Sequence, residues 1–170
     1  IATGADPVKP PIEGIDLEGV YYMRTPNDAI AVREVVENDN VKRAVVVGGG
    51  FIGLEVAENL HEMGVKTTLV EAMDHIMPGF DDEVCSYVED ELMENGIMVL
   101  TEERLISIEG DNKVKKVRTD KRAMKADIIV MAVGIRANTK IASDCGLELE
   151  VNKTIKVNEY MQTNDEDIYA

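Results

Sequence analysis

Apolar residues fall along this chain in two rhythms. In one, several sit side by side between polar stretches, as in RAVVVG, KTTLVE, IMVL and DIIVMAVG. Such runs predict strands covered on both faces. In the other rhythm they recur every three or four positions. Ile30, Val32, Val35 and Val36 form one stripe within TPNDAIAVREVVEND, where Thr25 stands at the predicted N-cap and Pro26 at the first helical position. Ile52, Val56 and Leu60 form a second between Phe51 and Met63, with Glu55, Glu58 and Glu62 on another face and Gly64 at the end. DDEVCSYVEDELMENG predicts a third helix, with acids in its first turn and Gly96 closing it.

Between Arg104 and Ala126 the rhythm breaks into short β-like pieces, RLISIEG, KVKKVRT and RAMKA, separated by the turn residues GDN and TDK. This predicts a three-stranded antiparallel meander. Upstream, VYYM (Val20 to Met23) predicts a short strand, and residues 1–19, rich in Pro and Gly and without a period, an extended connector. The tail carries a short helix near Thr139 to Cys145, then TIKV and DIYA. The order βαβαβ, meander, β predicts an α/β fold: a Rossmann-like parallel sheet with helices and a meander as one crossover.

Composition narrows the function. With 33 acids, 18 bases and a net charge of −15, the chain lacks the basic surface that nucleic acid or an anionic membrane needs. At 45% hydrophobic it can build a packed core. No apolar run is long enough to span a bilayer, and the first residues lack the basic-then-apolar pattern expected of a signal peptide. Cys85 and Cys145 lack CxxC spacing, which argues against a disulfide framework and fits a reducing, cytoplasmic setting. His61 and His75 form no metal-binding pattern, and no catalytic residue stands out.

The strongest chemical signal is VVVGGGFIGLE, Val45 to Glu55. A dinucleotide pyrophosphate is anionic, and a helix N-terminus offers amide donors and a partial positive charge. Gly48 allows the strand to turn, Gly50 allows close approach of the phosphates, and Gly53 allows the helix to pack on the sheet; Phe51 and Ile52 fill the variable positions. The motif follows a predicted strand and opens a predicted helix. Glu71 ends the next strand, at the roughly 20-residue distance expected of the ribose-binding acid. Its carboxylate would repel a 2′-phosphate, and no Arg or Lys lies between Glu71 and Phe80 to accept one, so NAD(H) is favoured over NADP(H).

With those residues in view, GGGFIGLEVAENLHEMG followed by TTLVE resembles the NAD(H)-binding domain of the FAD-dependent pyridine nucleotide–disulfide oxidoreductases, among them coenzyme A-disulfide reductases and NADH oxidases. ATGA (Ala2 to Ala5) resembles the family's exit from its FAD domain, AVGIRAN (Ala132 to Asn138) its second glycine motif, and TNDEDIYA the segment before its final FAD-binding Gly-Asp. The resemblance implies a connector from an FAD domain (1–19), an NAD(H)-binding domain (20–160) and a return segment (161–170). It further implies FAD and dimerisation domains elsewhere in the parent, a homodimer as full-length protein, and a fragment that binds NADH without turning it over.

The same resemblance suggests roles for individual residues. Phe51 stands where relatives carry a tyrosine that covers the flavin until NADH displaces it; plain packing is the alternative. Glu55 matches a glutamate near the nicotinamide or flavin, or serves as an acid in a first helical turn. Phe80 matches an aromatic near the adenine, or serves helix entry. Val133 and Gly134 match residues that line the nicotinamide side. Cys85, Cys145 and the two histidines read as structural. The competing functions are a free-standing NAD-dependent dehydrogenase and a non-catalytic NADH-sensing module.

Overall fold

The two rhythms become alternating elements. In chain order these are β1 (Ala5–Pro7), β2 (Val20–Tyr22), α1 (Pro26–Asn38), β3 (Arg43–Val47), α2 (Phe51–Glu62), β4 (Lys66–Val70) and α3 (Asp82–Glu94). There follow β5 (Met98–Leu100), β6 (Leu105–Gly110), β7 (Val114–Thr119), β8 (Ala123–Lys125), β9 (Ile128–Met131), β10 (Ile135–Ala137) and α4 (Lys140–Asp144). The computed structural model describes residues 1–170. They form two compact units: Lys9–Val133, and Ile1–Val8 together with Gly134–Ala170.

The larger unit is built on a five-stranded parallel sheet of order β2-β9-β3-β4-β5. Successive side chains of a strand point to opposite faces, so a strand buried on both needs a partner layer on each. On one face Ala44, Val46, Leu69, Ile128 and Val130 pack with Val56, Ala57 and Leu60 of α2 and Val32 and Val36 of α1. On the other, Val45, Val47, Val70, Ile129 and Met131 pack with Leu105, Ile108, Val114 and Val117 of the meander. The expected α/β architecture is therefore present, with β6-β7-β8 as the three-stranded antiparallel sheet. Each fully buried Val or Ile contributes roughly 1.5–3 kcal/mol, so β3, β4 and β9 make a stiff platform for the loops at their C-terminal ends.

Local signals set the helix ends. Thr25 caps α1 by accepting from the Asp28 amide at 3.4 Å, and Asp28 returns the bond by accepting from the Thr25 amide at 2.6 Å. Those bonds from Thr25 hold the Asp28 carboxyl below the usual carboxylate range. At the end of α2 the Val65 amide donates to Leu60 O at 3.1 Å and the Gly64 amide to His61 O at 2.8 Å, a Schellman closure. No helix is long and apolar enough to cross a membrane.

The opening segment is more structured than its sequence suggests. Pro and Gly hide two features there. Residues 5–7 form β1, paired antiparallel with β10, a strand the hydrophobic pattern did not announce. Ile12, Ile15 and Leu17 are held by turns and pack beneath the meander. In the tail, TIKV and DIYA form no strands; they contribute only the isolated bridges Leu149–Ile155 and Gln162–Tyr169. The short helix falls where expected, as α4.

Candidate functional site

The glycine loop leaves the end of β3, the central strand of the sheet, and turns directly into α2. Two of its glycines are demanded by the fold itself. Gly48 has φ +109°, and a Cβ there would lie 2.4 Å from the carbonyl oxygen of Ala132 and 3.3 Å from the Val133 nitrogen. A Cβ on Gly53 would lie 1.9 Å from the carbonyl oxygen of Gly48, so α2 sits on the turn with no space for a side chain. Gly50 differs. It is the N-cap of α2, in ordinary extended backbone at φ −77°, and a Cβ there would meet nothing within 4 Å. Nothing in the protein's own packing requires glycine at that position. The cap makes no side-chain hydrogen bond to the first turn, whose amides have no partners within the helix.

Glu71 closes the loop from beneath. It is 9% exposed, and its two carboxylate oxygens take separate bonds: Oε2 accepts from the Gly49 amide at 2.6 Å and Oε1 from the Met73 amide at 2.8 Å. Gly49 is bound on its other side as well, since its carbonyl accepts from the Met77 amide at 2.8 Å. Ile76 lies under it, with Cγ2 2.8 Å from where a Gly49 Cβ would stand. Sequence reasoning missed Gly49, the middle glycine, and the contribution of Met73 and Met77. The run of three glycines was the available signal for the first; the others act through backbone groups and leave none.

Phe51, Ile52 and Glu55, all exposed, share a groove of about 500 Å³ between α1 and α2, whose walls include Met23, Val32 and Met63. Phe51 also meets Phe80 edge-on, with ring centroids 5.6 Å apart and planes at 83°. Val133 follows β9 beside Gly48 and is partly exposed. Gly134 belongs to the smaller unit, where it has φ +94° and open space around its α-carbon. Cys85 is buried under the turn before α3, its Sγ 3.8 Å from the carbonyl oxygens of Met77 and Phe80; burial, then Asp82 and Glu89, push its thiol up. Cys145 is exposed. No group of three or more His, Cys, Asp or Glu residues is placed to hold a metal ion.

This arrangement of strand, glycine turn, uncapped helix and buried acid can be set against known proteins. The model of the pyridine nucleotide-disulphide oxidoreductases matches residues 1–170. The chain belongs to that family. A FAD-dependent pyridine nucleotide-disulphide oxidoreductase from Desulfovibrio vulgaris superposes with a TM-score of 0.88 at 42% identity, covering 99% of this chain and 43% of that one. A CoA-dependent NAD(P)H sulfur oxidoreductase from Pyrococcus abyssi is 39% identical over 170 residues, 99% of this chain and 38% of the relative. The water-forming NADH oxidase of Lactobacillus brevis, bound to NADH, gives a TM-score of 0.90 at 28% identity over 98% of this chain and 36% of that one. Its engineered form, an NADPH oxidase bound to NADPH, gives 0.90 at 26% identity with the same coverage. That form carries five substitutions: at a glycine, at an aspartate, at the alanine and methionine directly following, and at a proline. The chain thus spans about 38% of the length of the curated relatives it matches.

Proposed function

We propose that this chain is the NADH-binding part of a FAD-dependent oxidoreductase that passes hydride from NADH to the flavin and on to a disulfide, oxygen or peroxide acceptor. The observation that carries it is Gly50. The fold needs Gly48 and Gly53 for its own packing, whereas Gly50 faces open space at an uncapped helix N-terminus. A glycine there is explained by a ligand that must come close to the backbone, and an anion suits the free amides. Gly48, Gly50 and Gly53, with the first turn at Phe51 and Ile52, would hold the pyrophosphate. Glu71 would accept from the ribose hydroxyls, and Glu55 and Val133 would lie toward the nicotinamide. NADH supplies a hydride and the flavin accepts it; the protein binds, orients and excludes water.

The choice of NADH over NADPH has separate support. The five residues altered to make the NADPH-using form of the Lactobacillus enzyme have counterparts at the same spacing here: Gly53, Glu71, Ala72, Met73 and Pro78. At each, this chain has the residue type of the NADH-using parent, an acid included. On this reading residues 1–19 and 161–170 lead toward the FAD domain of a cytoplasmic homodimeric enzyme. Titration with NADH and with NADPH, followed by nicotinamide fluorescence, tests it. NADH should bind at least tenfold tighter, and equal affinity for the two would sink the assignment.

A further inference from the structure

We infer that Glu103 is a positioning residue for the nucleotide: buried between the meander and the end of β4, it fixes where Glu71 meets the ribose and thereby sets the preference for NADH over NADPH. The inference rests on the NADH reading above and extends it to a residue that acts only through Glu71.

A carboxylate taken out of water is costly unless hydrogen bonds and an opposite charge compensate it. Glu103 is 1% exposed and has both. Its Oε1 accepts from the Thr119 hydroxyl at 2.5 Å and pairs with Arg122, whose Nε lies 3.1 Å away. Thr119 ends β7, and its Oγ1 in turn accepts from the Arg122 amide at 2.9 Å. The carboxylate is thus seated in the turn between β7 and β8. The next residue is tied to the same turn: the Arg104 amide donates to Asp120 Oδ1 and the Asp120 amide to Arg104 O, each at 3.0 Å. From this seat the backbone reaches the segment that carries the ribose acid. The Glu103 amide donates to Glu71 O at 2.9 Å and the Glu102 amide to Met73 O at 2.6 Å, with Glu102 at φ +51°. Met73 matters because its own amide is one of the two donors that orient the Glu71 carboxylate. Both ends of the short segment that aims Glu71 therefore hang on residues 102 and 103, and these on the Glu103 side chain. An apolar residue in this place would avoid the desolvation cost; the carboxylate adds bonds of defined direction. Every group in this chain of contacts belongs to the larger unit, so the seat is complete within it.

The test titrates the full-length protein with NADH and with NADPH, each followed by nicotinamide fluorescence. Thr119→Val keeps the shape of the side chain and removes the hydroxyl that donates to Glu103; Glu103→Ala removes the carboxylate. Each should weaken NADH roughly three- to tenfold and leave NADPH within about twofold, so that the ratio of the two affinities falls. Thr119→Ser keeps the hydroxyl and should restore the wild-type ratio. In a Glu71→Ala background there is no carboxylate to aim, and Thr119→Val should no longer change the ratio. A purely structural role would loosen the glycine loop and weaken both nucleotides alike. An unchanged ratio in Thr119→Val would therefore overturn the inference and leave the NADH reading standing. A ratio that still falls in the Glu71→Ala background would overturn it too, since the effect would not pass through Glu71. A wild type that binds both nucleotides equally would remove the NADH reading and this inference together.

Discussion

Glu71 grips Gly49: the carboxylate accepts the Gly49 amide at 2.6 Å through one oxygen while the other holds the Met73 amide at 2.8 Å. The acid expected to receive a ribose thus also fixes the loop expected to receive the phosphates. Charge-assisted bonds to amides are among the stronger ones, and the remaining lone pairs of a carboxylate can still accept from a ligand. Glu71→Gln leaves only one accepting oxygen, so a donor faces a donor at Gly49 or Met73. The expected cost is about 1–3 kcal/mol of stability. Amide hydrogen exchange should accelerate at one of those two residues. Unchanged protection at both would show that the carboxylate does not anchor the loop.

Gly48 and Gly50 should separate in their effects. Gly48→Ala forces a left-handed backbone and a contact with the Ala132 carbonyl, and should cost on the order of 3 kcal/mol. Gly50→Ala enters open space and should cost less than about 1 kcal/mol, the difference between Gly and Ala at an N-cap. Its NADH affinity should nevertheless fall at least tenfold, roughly 1.4 kcal/mol, because the methyl group occupies the approach to the helix amides. Denaturant melts and NADH titrations of both variants check this. A Gly50→Ala protein that binds NADH normally would remove the main support for a phosphate at that point.

Cofactor preference should be transferable as a set. Ala72, Met73 and Pro78 are exposed around the buried Glu71, so arginines at 72 and 78 can reach a 2′-phosphate without entering the core. Combining Glu71→Ala, Ala72→Arg, Met73→Ser and Pro78→Arg, with Gly53 kept because a Cβ there would lie 1.9 Å from the Gly48 carbonyl oxygen, removes the repelling carboxylate and supplies two guanidinium groups that pair well with phosphate. The expected outcome is NADPH binding at least tenfold tighter than NADH. Glu71→Ala alone should weaken NADH without building an NADPH site. If the four-fold variant still prefers NADH, discrimination resides elsewhere.

The sequence carried the sheet and its helices because their signals are local. Continuous apolar runs mark β3, β4 and β9, α1 shows a stripe with a start signal, and α2 a stripe with a stop signal. The meander was readable from its turn residues. What the pattern hid is non-local. β1 is three residues, ADP, with a poor strand composition, and it exists only because β10 pairs with it from far along the chain. Ile12, Ile15 and Leu17 follow no period because turns, not a regular element, aim them at the meander. At the site, Gly48, Gly53 and Glu71 were marked by spacing. The Phe51–Phe80 contact and the Gly49 clamp depend on how the loop after β4 folds back, which no periodicity records.

That returning loop also carries a histidine whose titration is shifted by its surroundings. His75 Nδ1 lies 2.7 Å from the Ile76 carbonyl oxygen, and this bond raises the imidazole above its usual range; burial opposes the rise, and Asp74, Asp82 and Glu89 add to it. A group whose folded value is raised favours folding when protonated. Its contribution is complete below the unfolded histidine value, about 6.5, and disappears as pH climbs through the higher folded value. The comparison that isolates it is the melting temperature of the wild type minus that of His75→Gln, since carboxylate titrations are common to both. The gap should be largest near pH 5, narrow above neutrality and be lost by pH 9. A gap that stays constant or widens with pH would mean that His75 acts through packing alone. Because Ile76, the next residue, lies under Gly49, the protection factors of the Gly49 and Met77 amides, their exchange corrected for the base-catalysed intrinsic rate, should rise on acidification in the wild type and not in His75→Gln.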